Sequence, residues 1–149
     1  MPPSSLSSPL PSPVPSEAGV ANPCVNDFTI QIATVNGTGS QSANHVLLRA
    51  LFQMGIPGSG KNMFPSNIKG LPTWFAVRLS KDGYVARRKE TQIVVCVNPQ
   101  TCRKDLEGLQ PGGLCIYDQP LGLGGLRKDI EFLAVPFAGL MAALPDTDV

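Results

Sequence analysis

From Phe28 onward the apolar and polar positions follow two rhythms. In FTIQIATV, Phe28, Ile30 and Ile32 alternate with other residues in a stretch rich in β-branched side chains, which predicts a strand running into the turn NGTGS. In QSANHVLLRALFQMG, the apolar residues Ala43, Val46, Leu47, Ala50, Leu51 and Met54 recur at three- and four-residue spacing, which predicts a helix, and Gly55 suits a left-handed stop. A loop rich in Pro, Gly and Asn is expected next. TWFAVRLS predicts a second strand, Lys81-Asp82-Gly83 a turn, and TQIVVCV a buried strand. Asn98 and Pro99 are suited to be the N-cap and first residue of a short helix reaching about Leu109, ended by PGG. LCIYD and IEFLAVP predict two more strands, and FAGLMAAL the start of a last helix. Strands alternating with helical segments imply an α/β layer fold with a mostly parallel sheet.

Before Phe28 the rhythm is absent. Residues 1–26 hold seven prolines, many serines and one charge, Glu17, with too little apolar surface to offset the entropy of ordering them. They are expected to form a disordered leader, with residues 27–149 as one domain. The whole chain is 42% hydrophobic with a formal charge of +1, which argues against a nucleic-acid binder. No apolar run approaches the roughly 20 residues needed to span a bilayer, and the N-terminus lacks the basic-then-apolar order of a signal peptide. The expectation is a cytoplasmic protein. Cys24, Cys96, Cys102 and Cys115 form no C-x-x-C pair and are read as reduced structural thiols.

Two glycine motifs invite a phosphate. GIPGSGKN, Gly55 to Asn62, has the spacing of a nucleotide-binding P-loop, but it follows the end of a helix, Asn62 stands where Ser or Thr would hold Mg²⁺, and Pro65 blocks a following helix. Gly37-Thr38-Gly39-Ser40-Gln41-Ser42 lies at a strand-to-helix turn, where unpaired backbone N–H groups and the helix dipole favour an anion. The acid that would hold a dinucleotide ribose about 20 residues on is missing, so the turn either binds another phosphate-bearing ligand or only redirects the chain tightly. Between Phe28 and Lys81 there are five basic residues and no acid, a segment able to face an anionic ligand or partner or simply to present a solvated basic surface. His45, the only histidine, has no pairing signal nearby and reads as a surface helix residue.

IATVNGTGSQSANHVLLRALFQMG followed by SGKNMFPSNIKGLPTWFAVRLS resembles the gamma domain of the 2-oxoacid:acceptor (ferredoxin or flavodoxin) oxidoreductases, particularly the type fused to the front of the alpha subunit. The more specific signal is FPSNIKGLPTW, similar to the family's Pro-Ser-x-x-(Arg/Lys)-Gly-x-Pro loop. VVCVNPQTCRKDLEGLQPGGLCIYD continues the likeness in order, from about Asp27 to Pro136. The resemblance implies a three-layer Rossmann-like α/β domain with a mostly parallel sheet, C-terminally truncated, because the family's domains continue beyond the helix that begins at Phe137. It also implies oxidative decarboxylation of a 2-oxoacid to acyl-CoA, with electrons passed to ferredoxin. Thiamine diphosphate, Mg²⁺, iron–sulfur clusters and coenzyme A belong to the complete complex of alpha and beta subunits. This chain alone is expected to bind none of these cofactors, to hold no catalytic or metal-binding residue and to be inactive by itself.

Carried onto this sequence, the family's glycine loop falls on Gly37, Thr38, Gly39 and Ser40, and its second loop on Pro65, Ser66, Asn67, Lys69, Gly70 and Pro72, with Trp74 as the anchor of that loop. The glycine loop and Lys69 would form the cofactor side, and Pro65, Ser66, Asn67, Gly70, Pro72 and Trp74 would line an interface or site. GIPGSGKN is then the connection leading into the second loop. The competing reading is a stand-alone module that holds a phosphate-bearing ligand in the Gly37–Ser42 turn without catalysis.

Overall fold

The computed structural model describes residues 26–64 and 70–144. The expected leader lies almost wholly outside them. Six strands, β1 (Asp27–Val35), β2 (Gly58–Met63), β3 (Pro72–Ser80), β4 (Thr91–Cys96), β5 (Leu109–Asp118) and β6 (Glu131–Val135), form one sheet in the order β2-β3-β1-β4-β5-β6. The pairings β1–β4, β4–β5 and β5–β6 are parallel, and β1–β3 and β2–β3 antiparallel. The described helices are α1 (Ser40–Gln53), α2 (Cys102–Glu107) and α3 (Phe137–Ala142), with a single 3-10 turn at Gln119–Leu121.

Alternation along the strands divides the core into two halves. On one face Ile32, Phe75, Val77 and Leu79 pack with Leu48 and Leu51 of α1. On the other, Val94, Cys96, Cys115 and Tyr117 pack with Cys102 and Leu106 of α2. Since Val95 joins the first cluster while its neighbours Val94 and Cys96 join the second, α1 and α2 cover opposite faces. The result is the three-layer α/β arrangement that the alternation of strands and helices predicts.

Three local expectations are corrected. First, GIPGSGKN is not only a connection: Gly58–Met63 is the edge strand β2, paired antiparallel with Trp74 to Leu79. Glycine is ordinarily depleted in strands, which hides this one from sequence reasoning. Here the glycines make room, because a Cβ on Gly60 would lie 2.6 Å from the Phe75 ring and 2.8 Å from Leu48, and one on Gly58 2.7 Å from Leu79. They let α1 and the β3 side chains close over the strand. Lys61 therefore sits exposed on a sheet edge, not at a helix N-terminus.

Second, α2 starts at Cys102, not at Pro99, and its N-cap is Thr101. The Asn98 carboxamide, buried, accepts from the Gln100 N–H at 2.9 Å and donates to the Thr34 carbonyl at 3.2 Å. This turn ties the end of β4 to β1 before the helix begins. Third, PGG does not end a helix but lies inside β5. Leu109 pairs with Thr91 and Leu114 with Ile93, so the extra residues bulge from the ladder around Gly112, whose φ is 76°.

Cys96, Cys102 and Cys115 are buried and unbridged in the α2-side core, while Cys24 lies outside the described residues. The hydrogen bond shared with Cys115, reinforced by burial, pushes the Cys96 thiol far above the usual range. A thiol held protonated in this way packs as a small apolar group.

Candidate functional site

The site begins where β1 ends. Asn36, Gly37, Thr38 and Gly39 turn the chain from β1 into α1, and Gly37 and Gly39 take φ of 86° and 76°, a left-handed conformation that glycine adopts without steric cost. Gly39 is the N-cap, so no side-chain hydrogen bond caps α1, and the first turn carries no acidic residue. The Ser42 N–H donates to the Gly39 carbonyl at 3.1 Å, so it is the N–H groups of Ser40 and Gln41, at the positive end of the helix dipole, that have no capping side chain. The Ser40 hydroxyl is engaged with the Thr34 hydroxyl at 2.9 Å, which fastens the first helical residue to β1. The Thr38 hydroxyl donates back to the Val35 carbonyl at 2.8 Å, closing the turn on itself.

A second segment, far along the sequence, is joined to this turn through backbone alone. The Gly70 N–H donates to the Asn36 carbonyl at 3.1 Å, and the Asn36 N–H donates to the Leu71 carbonyl at 2.9 Å. With Val35 opposite Pro72 and Ala33 opposite Trp74, β3 leaves this junction beside β1. The glycine turn and the described end of the second motif, from Gly70 onward, are therefore neighbours. Gly70, at φ 85°, turns the chain there.

Between them lies a cleft of about 410 Å³. Of the residues expected to form the site, Gly37, Gly39, Ser40 and Trp74 line it. Thr38, Gly70 and Pro72 do not, although they shape the adjoining turns. Pro65, Ser66, Asn67 and Lys69 lie outside the described residues. Sequence reasoning missed Asn44, Asn62, Phe64 and Phe75, which line the cleft with Trp74. The spacing of Ser40 and Asn44, one helical turn apart, is the signal that places Asn44 on the cleft face. His45, next along, is exposed and sets its ring edge-on to Phe75 at 5.6 Å.

Trp74 is half-buried, and its indole Nε1–H donates to Asp105 Oδ1 at 2.8 Å. Gln31 Nε2 reaches the same oxygen at 3.4 Å. Asp105 is a carboxylate in the sheet–α2 interior, and burial pushes its pKa above the usual carboxylate range, against the pull of the hydrogen bonds it accepts and the charge of Lys104. The aromatic wall of the cleft is thereby tied to a helix on the far side of the sheet.

Among the described residues, no group of three or more His, Cys, Asp or Glu side chains is placed to hold a metal ion. No helix there is long and apolar enough to cross a membrane. What the arrangement can do is bind: an uncapped helix N-terminus for an anion, with polar and aromatic walls beyond it.

The family model for pyruvate ferredoxin/flavodoxin oxidoreductase matches residues 29–147. No curated protein matches the chain. Among solved structures, similarity extends to a 2-oxoglutarate:ferredoxin oxidoreductase from Magnetococcus marinus with 2-oxoglutarate, coenzyme A and succinyl-CoA bound (TM-score 0.69, 19% identity, 79% of this chain, 21% of that one). It extends also to the pyruvate oxidoreductase subunit PORC from Thermotoga maritima (TM-score 0.57, 19% identity, 74% of this chain, 60% of that one). A third is the gamma subunit of a keto/oxoacid ferredoxin oxidoreductase from Geobacter sulfurreducens (TM-score 0.58, 16% identity, 72% of this chain, 60% of that one). The chain thus spans about a fifth of the first relative's length and three fifths of the other two.

Proposed function

The chain belongs to the pyruvate ferredoxin/flavodoxin oxidoreductase family, and from that premise we propose that it serves as a gamma-type domain of a 2-oxoacid:ferredoxin oxidoreductase. In this reading it contributes to assembly and to the coenzyme A side of the site, while thiamine diphosphate, Mg²⁺ and iron–sulfur chemistry belong to partner subunits. Ferredoxin would be reached only through the complex. The reading is of a cytoplasmic protein.

The observation that carries it is the backbone junction of the Asn36–Ser40 turn with Gly70–Leu71 at the mouth of the cleft. The glycine turn and Gly70–Leu71, the described end of the second motif, meet there beside a helix N-terminus without a side-chain cap. Such a terminus suits one phosphate of coenzyme A. Coenzyme A, when bound, supplies the thiol that accepts an acyl group; the part of this chain is to hold and orient it. Gly37 and Gly39 let the backbone approach the phosphate closely, Ser40 locks the helix start to Thr34, and Trp74 walls the cleft.

An assembly role is favoured by apolar surface. Cys115 and Tyr117 point to the α2 face, so Leu114 and Ile116 point to the other, and Leu133, paired with Ile116, is 49% exposed there. Leu140 and Met141 of α3 are exposed as well. Uncovered apolar side chains of this kind mark a surface built to be covered.

Co-expression with alpha and beta partners tests the reading. A tagged chain that copurifies in a complex reducing ferredoxin with a 2-oxoacid supports it, and a chain that never joins such a complex overturns it. Titration of the chain alone should show at most weak binding of coenzyme A and negligible binding of ATP or NAD. Tight ATP binding abolished by Lys61→Ala would reinstate a nucleotide site.

A further inference from the structure

α1 is apolar on two sides. Leu48 and Leu51 turn inward onto the core formed by Ile32, Phe75, Val77 and Leu79. Ala43, Val46, Leu47, Ala50 and the C-cap Met54 recur at three-, four- and seven-residue spacing and form a stripe about 100° wide on the far side of the helix. All five are exposed, Val46 at 67% and Met54 at 72%. A surface helix ordinarily turns polar side chains that way. The stripe runs about 16 Å along the axis. An apolar seam of this spacing is the kind that a second helix fills with a seam of its own.

Charge decides between occupants. Arg49 is the only charged residue of α1; it is exposed, borders the stripe beside Val46 and Gln53, and forms no ion pair among the described residues. Neither α1 nor β2, the strand on which Leu48 packs, contains an acid. Arg49 also lies near the middle of the stripe. An antiparallel pair of α1 helices from two copies of this chain would therefore set the two Arg49 side chains together, with no carboxylate on either helix to offset them.

We infer that the outer face of α1 docks an amphipathic helix of a partner protein, whose apolar seam is flanked by Asp or Glu side chains on the side facing Arg49. The inference rests on the proposed assembly role and names where the partner docks and by what chemistry. It uses none of the residues that line the cleft.

The probes are three lactam-stapled helical peptides that share one leucine seam and carry Glu, Gln or Lys in the flanking positions. They are titrated into the full chain by fluorescence anisotropy at low salt. The Glu peptide should bind at least about fivefold more tightly than the Gln peptide, with the Lys peptide weakest and the differences shrinking as salt is added. Val46→Gln and Met54→Gln should each weaken the Glu peptide at least about fivefold and leave the melting temperature of the free chain unchanged, because both side chains already stand in water there. Arg49→Gln should bring the Glu and Gln peptides within about twofold. Phe52→Gln, at an exposed position off the stripe, should leave all three affinities as they are. Equal binding of the three peptides, or a Glu preference that survives Arg49→Gln, overturns the acidic flank. No binding, or binding unmoved by Val46→Gln and Met54→Gln, overturns the docking face. A chain that sediments as a dimer, and as a monomer once Val46→Gln is introduced, gives the face to a second copy and overturns the partner. A melting temperature lowered by both stripe variants with peptide affinity kept makes the stripe structural only. Failure of the peptides with copurification intact overturns the docking face and leaves the assembly role standing, whereas a wild-type chain that never copurifies overturns the assembly role and the inference with it.

Discussion

Trp74 donates its indole N–H to Asp105 Oδ1 at 2.8 Å, so the ring that walls the cleft is held by a carboxylate buried against α2. The relationship links two layers of the fold through one bond. It also makes the stability of the domain depend on the charge of a buried acid.

Burial raises the folded-state pKa of Asp105 above its unfolded value, so the folded state binds a proton more readily than the unfolded chain. Its contribution is then most favourable below the unfolded pKa of about 3.9 and is lost as pH rises through the folded pKa. Asp105→Asn keeps an acceptor for Trp74 and removes the charge. The difference in unfolding free energy between wild type and Asp105→Asn should shift against the wild type as pH rises from about 4 toward neutrality. Denaturant titrations at a series of pH values read this, and a pH-independent difference would contradict it.

Asp27 works in the opposite direction. Its hydrogen bond to Arg78, whose guanidinium is 3% exposed, holds its carboxyl below the usual range. Stability from this pair is present above the unfolded pKa and lost as pH falls through the folded pKa. Asp27→Asn should lower the melting temperature at pH 7 and flatten the acid side of the stability profile. The measurement is a thermal melt at pH 7 and at pH 3.

Trp74→Ala should destabilise the domain by about 2 kcal/mol through lost burial. A further amount of about 1.5–3 kcal/mol comes from the hydrogen bond to an acid. Trp74→Phe removes chiefly the second. Lys69→Ala is expected to spare the fold and weaken docking of an anionic group or acidic partner. Melting curves together with copurification separate these effects, and a Trp74→Ala chain that melts and assembles like wild type would remove the anchor role.

Gly60→Ala should cost about 1–3 kcal/mol, because the added methyl meets the Phe75 ring and Leu48 within a packed layer. Lys61→Ala, next to it on the exposed edge, should change stability by no more than about 0.5 kcal/mol. Equal effects of the two substitutions on the denaturation midpoint would mean that the glycines of this strand are not packing residues.

Local periodicity determined most of the elements. β1, α1, β3, β4 and β6 stand within a residue or two of their sequence patterns, but the apolar face expected of α1 is corrected: the helix packs through Leu48 and Leu51 and leaves Ala43, Val46, Leu47, Ala50 and Met54 exposed. The glycine turn before α1 was legible too, since positive φ selects glycine at Gly37 and Gly39. β2 was not, because its glycines answer to α1 packing above them, a demand that leaves no alternating pattern in GSGKNM. Nor were Asn44 and Asp105 legible as buried, since each sits among polar residues that look solvated, and only the closing of α1 and α2 onto opposite faces removes them from water. The joining of Asn36 to Gly70 and Leu71 belongs wholly to tertiary structure. Its two hydrogen bonds use main-chain groups that every residue but proline carries, so no side-chain pattern announces them, and the antiparallel β1–β3 register alone brings those groups within reach.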